Sequence, residues 1–356
     1  MPKYMELVEW IQEQIFSKNL LPNQKLYSEN ELKEMFGFSR QTVRHAIGVL
    51  EQEGIVRRVK GSGTYINDIR LLNLERRSKI MVVTTYVDSY IFPRTIQGIE
   101  NVLTEQGYSI QIAFTNNQNS KEKIILEDII SRDEVAGIIM ETTKSGIPNP
   151  NLYLYKEIRK RRIPILFINS FYSSLKIPHI SLNDRIAGKN ATKHLIEMGH
   201  KRIGGIFKLD DGQGHQRYTG YLEAMNEAKL EIDDSRILWI DTEDIRDLSR
   251  CIERIQDRME SCTGLFCYND QVACDLIELL KKQGILIPED ISIVSVDDSD
   301  LAVRGEVKLS TIPHPMEKLG EKAAENLIMM IKNPAFDGTY EFENEIIIRD
   351  SVKKLS

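Results

Sequence analysis

Apolar residues recur at helical spacing near the start of the chain and gather into short runs further along, so the sequence has two textures. Leu7, Ile11 and Ile15, with Val8 and Trp10 beside them, predict a helix over residues 4–16 with one apolar stripe. Pro22 and Asn23 end that stretch. Ser28 and Glu31 form an S-x-x-E capping box that opens a second helix. Leu32, Met35 and Phe36 are expected on its buried face, and Gly37 closes it because glycine accepts the left-handed conformation. Ser39 caps a third helix with Val43, Ile47 and Leu50 facing inward, ended by Gly54. "IVRRVKGSGTYI" alternates and turns at 61–63, the pattern of a β-hairpin. Three helices and a hairpin over residues 1–67 predict a small winged helix-turn-helix domain.

Residues 68–78 read as a linker of mixed polarity. From Lys79 onward short apolar runs alternate with helical patterns. KIMVVTTY, YSIQIAF, VAGIIME, IPILFIN, KRIGGIF, SRILWI, GLFCYN and ISIVSV read as strands, with helices near 93–106 and 121–133 among them. This is a βα repeat with a parallel sheet, and residues 79–356 are enough for two similar lobes. The expected fold class is α/β, a two-lobed parallel-sheet domain preceded by the winged helix-turn-helix.

Charge sharpens the division. The 356-residue chain carries a net charge of −6, yet residues 1–79 hold 13 Lys and Arg against 10 Asp and Glu. A small basic end therefore precedes a large acidic body, and bulk attraction to nucleic acid is not available to the whole chain. Cys251, Cys262, Cys267 and Cys274 fit neither a zinc pattern nor a CxxC pair, which predicts free thiols and no metal. The N-terminal stretch is amphipathic and contains acids, unlike a signal peptide, and no uncharged apolar run is long enough to span a membrane. A cytoplasmic protein with no membrane partner is expected.

The outward face of the third helix carries the first chemistry. With Val43, Ile47 and Leu50 pointing inward, Arg40, Gln41, Arg44 and His45 project outward from its first half. In a helix-turn-helix this is the part that reaches base edges in the major groove. Arginine can bond guanine O6 and N7 together, and glutamine does the same for adenine. Ser39 and Thr42 bring hydroxyls to a helix N-terminus, where phosphate is favoured. Arg57, Arg58 and Lys60 flank the hairpin turn, as a wing against the nucleic-acid backbone requires. A charged, solvated helix face is the bland alternative; the right helix, turn and basic wing together outweigh it.

"LYSENELKEMFGFSRQTVRHAIGVLEQEGIVRRVKGSGTYI" closely resembles the GntR-type winged-helix headpiece, with Tyr27 departing from the usual proline. The resemblance implies contacts to double-stranded operator DNA from Glu29, Arg40, Gln41, Thr42 and Arg44, and from Lys60, Gly61, Ser62 and Gly63 of the wing; Lys3 and Ser39 are expected to join them. Glu29 is the unexpected member; an acid there can accept from cytosine N4 or orient a neighbouring arginine.

"HLIEMGHKRIGGIF", "RYTGYLEAM", "LFCYNDQVA" and "PEDISIVSVDDSDLA" resemble the sensor domain of LacI-type repressors, which is related to periplasmic sugar-binding proteins. That implies a ligand cleft at the carboxyl ends of the strands. The residues there are Tyr86, Tyr90 and Phe92 after strand one, Glu141 and Lys144, Asn169, Arg217, Asn269 and Asp297. Aromatics suit the apolar face of a sugar, and carboxylates, Asn and Arg suit its hydroxyls. The same resemblance favours Arg217, Asn269, Asp297 and Asn169. "DGQGHQR" is not a dinucleotide loop, because Arg217 stands where the third glycine would be. No P-loop, H-E-x-x-H or G-x-S-x-G motif is present, and no enzyme or cofactor is expected. "TTYVDSYIFPRTIQGIE" and "TTKSGIPNPN" extend the likeness nearly end to end to bacterial arabinose repressors. This implies a homodimeric repressor with L-arabinose as its effector, or a LacI-type repressor of another sugar operon.

Overall fold

In the computed structural model of the chain, which describes residues 3–16, 19–52, 54–67, 79–87, 90–132 and 134–355, contacts divide the protein into two compact units, Met1–Ser78 and Lys79–Ser356. The first opens with α1 (Lys3–Phe16), α2 (Glu29–Phe36) and α3 (Arg40–Gln52). Leu7, Val8 and Ile11 of α1 meet Val43, Ala46, Ile47 and Leu50 of α3 in one apolar cluster, with Leu32 of α2 closing it. The capping box at Ser28 forms in both directions: the Ser28 N–H donates to the Glu31 carboxylate at 2.6 Å, and the Glu31 N–H to Ser28 Oγ at 3.3 Å. Gly37 adopts φ 65° and ends α2 as expected. Met35 does not face the core; it is 52 % exposed. The buried stripe of this two-turn helix runs through Leu32 and Phe36, four apart, and Phe36 packs on Trp10 at 5.0 Å, leaving Met35 on the rim. β1 (Val56–Val59) and β2 (Gly63–Ile66) form the antiparallel hairpin, and Lys25 adds a bridge to Tyr65 on its other side. Residues 68–78, the expected linker, lie outside the described residues.

The second unit alternates strand and helix. Its first part runs β3 (Lys79–Thr84), α4 (Phe92–Glu105), β4 (Ser109–Phe114), α5 (Asn119–Arg132), β5 (Val135–Glu141), α6 (Leu152–Lys160), β6 (Ile165–Ile168) and β7 (His179–Leu182). Then follow α7 (Asp184–Glu197), β8 (Ile203–Lys208), α8 (Gly212–Glu227), β9 (Ile237–Ile240), α9 (Thr242–Arg246) and α10 (Ile252–Met259). They are succeeded by β10 (Gly264–Cys267), α11 (Asp270–Lys281), β11 (Ser292–Asp297), α12 (Leu301–Arg304) and β12 (Ser310–Pro313), and the chain ends with α13 (Met316–Lys332) and β13 (Tyr340–Phe342). One parallel sheet has the order β13-β7-β6-β5-β3-β4 and the other β12-β11-β10-β8-β9. The central strands β5 and β10 are buried along their whole length, as strands covered on both faces must be.

The chain passes between the lobes three times: after β7 into α7, after β12 into α13, and after β13 to Ile347, which bridges Thr311. β7, β12 and β13 have no counterpart in the sequence reading. They are three or four residues long and rich in Ser, Thr and Tyr, too short for an alternation to show.

Two helix pairs pack unusually close. A Cβ on Gly98 of α4 would stand 2.2 Å from the Glu317 carbonyl oxygen, and one on Gly220 of α8 would stand 2.0 Å from the Arg185 carbonyl oxygen of α7. The α7–α8 contact brings Asp184 beside Arg217. Gly220→Ala therefore forces these backbones apart; we expect a loss of about 2–3 kcal/mol in denaturant-induced unfolding of the second unit, with Gly107→Ala, whose Cβ would meet open space, costing less through its positive φ alone.

Candidate functional site

On the first unit, α3 carries Arg40, Gln41 and Arg44 exposed on the side opposite its core residues. Glu29, at the first position of α2, reaches across to them: its Oε2 accepts from Arg44 Nε at 2.8 Å and lies 3.7 Å from Arg40 Nε. Ser39 Oγ accepts the Thr42 N–H at 3.1 Å and shares a hydrogen with Thr42 Oγ1 at 2.8 Å, so both hydroxyls sit at the start of α3. Lys60, Gly61 and Ser62 form the exposed hairpin tip, where Ser62 Oγ bonds the Tyr65 hydroxyl at 2.6 Å. The Lys3 ammonium lies over the Phe38 ring, 5.9 Å from its centre. Arg58 pairs with Glu51, and Arg57 bonds Asn23 and Asn67, so these two brace the hairpin. His45 packs edge-on against Tyr4 at 4.4 Å.

Lys25 escaped the sequence reading because it stands in a loop before the second helix. Its bridge to Tyr65 lays its side chain across the hairpin, where a Cβ on Gly63 would fall 2.5 Å from Lys25 Cε. Gly63, at φ 132°, is thus constrained twice.

On the second unit, the strand ends of both lobes line one cavity of about 510 Å³. Arg217, 1 % exposed, lies at its floor. Its Nε donates to Asp184 Oδ1 at 2.8 Å, one terminal nitrogen donates to the Tyr268 carbonyl oxygen at 2.6 Å, and the other is 3.4 Å from Asp297 Oδ1. The guanidinium also lies over the Tyr268 ring, 4.8 Å from its centre. Asp297 accepts a second bond from the other lobe, from the Tyr90 hydroxyl at 2.5 Å. Glu141 is held by the Thr85 N–H at 2.6 Å and Asn169 Nδ2 at 2.9 Å. Tyr86 and Phe92 meet edge to face at 5.8 Å and, with Ile91, form an apolar wall. Asn269 lends its side-chain oxygen to the Val272 N–H as the cap of α11 and still borders the cavity.

Seven of the nine expected positions therefore meet: Tyr86, Tyr90, Phe92, Glu141, Arg217, Asn269 and Asp297. Two do not. Lys144 turns out of the cavity; its N–H donates to Asn117 and its ammonium lies 3.9 Å from Asp210, because the left-handed backbone at φ 46° redirects the chain after β5. Asn169 sits behind Glu141, its amide used by Glu141 on one side and facing His314 Nε2 at 3.2 Å on the other, and it borders a separate hollow of about 380 Å³. The cavity gains residues the sequence reading passed over, chiefly Lys208 and Asp211, and Tyr268, the strand-end neighbour of Asn269, borders it as well. Lys208 is 3.4 Å from Asp211, and the Tyr268 hydroxyl donates to Asp211 at 2.9 Å. The strand-end rule would have found Lys208 had β8 been read one residue longer.

Electrostatics follow from burial and pairing. Burial pushes the Glu141 carboxyl up, against the hydrogen bonds that hold it. Burial opposes charge on Lys208 and Asp211 alike, but their pairing outweighs it: the amine is held above and the carboxyl below its ordinary range. Burial raises Asp184 to about 7 with Arg217 pulling the other way, and lowers His314 to about 4. Among the described residues no cluster of His, Cys, Asp or Glu is placed to hold a metal ion, and no helix is long and apolar enough to cross a membrane.

The gntR family of bacterial regulatory proteins matches residues 3–66, and the periplasmic binding protein-like domain matches residues 192–352. An arabinose metabolism transcriptional repressor of Geobacillus stearothermophilus is 38 % identical over 100 % of this chain and 99 % of its own. A protein of the same description from Halalkalibacterium halodurans is 38 % identical over 97 % of this chain and 93 % of its own. In structure, the second unit's fold resembles the transcription regulator CcpA of Lactococcus lactis, with a TM-score of 0.70, 24 % identity, and coverage of 78 % of this chain and all of that one.

His314 makes stability pH-dependent. Its folded value near 4 lies below its unfolded value near 6.5, so the unfolded chain binds the extra proton first and stability falls as pH drops through that window. Between pH 7 and 5 the loss is about 2 kcal/mol. Urea unfolding of His314→Gln should show a correspondingly smaller drop between these pH values than the unsubstituted chain; equal drops would show that His314 is protonated normally.

Proposed function

The chain belongs to the family of arabinose metabolism transcriptional repressors, and from that premise we propose that it is a homodimeric repressor of arabinose-utilisation genes which leaves its operator when L-arabinose occupies the cleft. It is a DNA-binding, sugar-responsive regulator and not an enzyme. In this reading residues 1–67 read DNA, residues 68–78 join the two parts, and residues 79–356 bind the effector and dimerise in the cytoplasm. The edge strand β4 leaves Ile112 and Phe114 more than two-fifths exposed, an apolar face of the kind a second copy covers.

The observation that carries the effector assignment is the charge balance of the cavity. Arg217 is matched by Asp184 and Asp297, Lys208 by Asp211, and Arg246 at the rim by Glu243 at 2.6 Å. Among the described residues that line the cavity no surplus cation awaits a phosphate. A floor of paired donors and acceptors below an aromatic wall suits a small neutral ligand rich in hydroxyls, such as a pentose. Glu141, Lys208, Asp211 and Asp297 would take its hydroxyls, and Tyr86, Phe92 and Tyr268 its apolar face.

At the DNA, Arg40, Gln41 and Arg44 would meet base edges, with Glu29 fixing the direction of both arginines. Ser39, Thr42, Lys3 and the tip at Lys60, Gly61 and Ser62 would meet phosphates. Two headpieces on a two-fold operator double these contacts and fix the half-site spacing. Sugar that binds the closed lobes better than the open ones shifts the pair of headpieces away from that spacing.

An operator titration with and without L-arabinose tests the scheme: affinity should fall at saturating sugar, and an unchanged affinity would end the induction claim. Arg40→Ala should weaken specific binding by about 1–3 kcal/mol while leaving sugar binding intact. Arg217 is too deeply paired to serve as a clean probe, since its removal leaves two buried carboxylates unmatched. Glu141→Gln keeps the shape; calorimetry should show L-arabinose bound at least about tenfold more weakly, at unchanged operator affinity without sugar.

A further inference from the structure

The lobes are also joined away from the charged floor. After β4 the chain turns through Asn116 and Asn117 at φ 50° and 54°, a left-handed conformation that asparagine tolerates better than most residues. Asn117 Nδ2 donates across the lobes to Thr242 Oγ1 at 2.6 Å. Thr242 Oγ1 in turn donates to Asp210 Oδ2 at 2.7 Å, and Asn117 Nδ2 is 3.5 Å from the same oxygen. Asn117 Oδ1 accepts the Lys144 N–H at 2.8 Å, fixing the amide's orientation. Asn117, Asp210 and Thr242 are buried, and neither Asn117 nor Asp210 borders the 510 Å³ cavity. Beside them two backbone amides bond across the lobes, Gly146 N–H to the Asp210 carbonyl oxygen at 3.4 Å and Gly212 N–H to Ser145 Oγ at 2.9 Å.

We infer that Asn117, Thr242 and Asp210 are positioning residues that stabilise the closed cleft over the open one, and so set the effector concentration at which the protein responds. The inference rests on the reading that the effector binds the closed cleft. A ligand's apparent affinity is its intrinsic affinity scaled by the fraction of protein already in the competent state. A chain of buried hydrogen bonds anchored at Asn117 and Asp210, outside the cavity that Thr242 borders, raises that fraction through the closure itself. The effector then has less closing to accomplish, and the response shifts to lower concentration. The floor contact from Tyr90 to Asp297 also joins the lobes, but it lies inside the cavity and must share Asp297 with whatever binds there.

The full chain carries the test. Asn117→Asp keeps size and tolerance of the left-handed backbone but sets a second carboxylate against Asp210. Thr242→Val keeps shape and removes the hydroxyl, whereas Thr242→Ser restores it. Hydrogen–deuterium exchange without sugar reads the amides of Gly146 and Gly212, whose partners none of these substitutions alters. Both should exchange faster in Asn117→Asp and Thr242→Val and near the original rate in Thr242→Ser. Calorimetry should show L-arabinose binding weakened about tenfold in the first two and restored in the third. Unchanged exchange in both disruptive variants overturns the inference, even if sugar binding weakens, because the weakening would then not come from closure of the cleft. Accelerated exchange in a protein that never binds L-arabinose upholds the closure device and discards the effector assignment instead.

Discussion

A guanidinium sealed from water has to be matched in charge and in hydrogen bonds, and Arg217 imposes that requirement on the whole second unit. Its partners come from three directions: Asp184 at the start of α7, the Tyr268 carbonyl at the end of β10, and Asp297 at the end of β11. Asp184 reaches it only because α7 and α8 touch backbone to backbone through glycines. Asp297 is held at φ 117°, a backbone setting few residues adopt. The order of the five-stranded sheet, the close helix pair and the unusual strand end all meet at one buried cation.

The two ends of the chain handle charge in opposite ways. On the first unit Arg40 and Arg44 stand more than half exposed beside a carboxylate that is itself partly open to water. Such a pair is worth little in free energy and can exchange partners readily, which is consistent with the proposed contact of these arginines with a polyanion. In the cleft the pairs are buried and geometrically fixed, so a ligand bound there as proposed would be selected by shape and hydrogen-bond pattern rather than by attraction at a distance.

What could be read from sequence depended on how local its cause was. The headpiece was legible nearly throughout because its caps, its glycine stops and its apolar stripe each act within a few residues; Met35 was misplaced because a short helix leaves the edge of its stripe undetermined. In the second unit the long buried strands and their ends announced themselves, and seven of nine cleft positions meet there. Lys144 left the cavity through a backbone turn no pattern foretold. Asp184 had no local signal, since its partner is 33 residues away on a neighbouring helix. The short strands of the crossings are likewise products of tertiary pairing.

Those crossings mean that neither lobe is a continuous piece of sequence. The six-stranded sheet is begun by β3 and finished by β13, with α13 laid against it from near the far end of the chain. A nascent polypeptide emerging from the ribosome thus completes its DNA-reading module long before its first lobe can close, since the missing helix and edge strand are translated only after every strand of the other lobe.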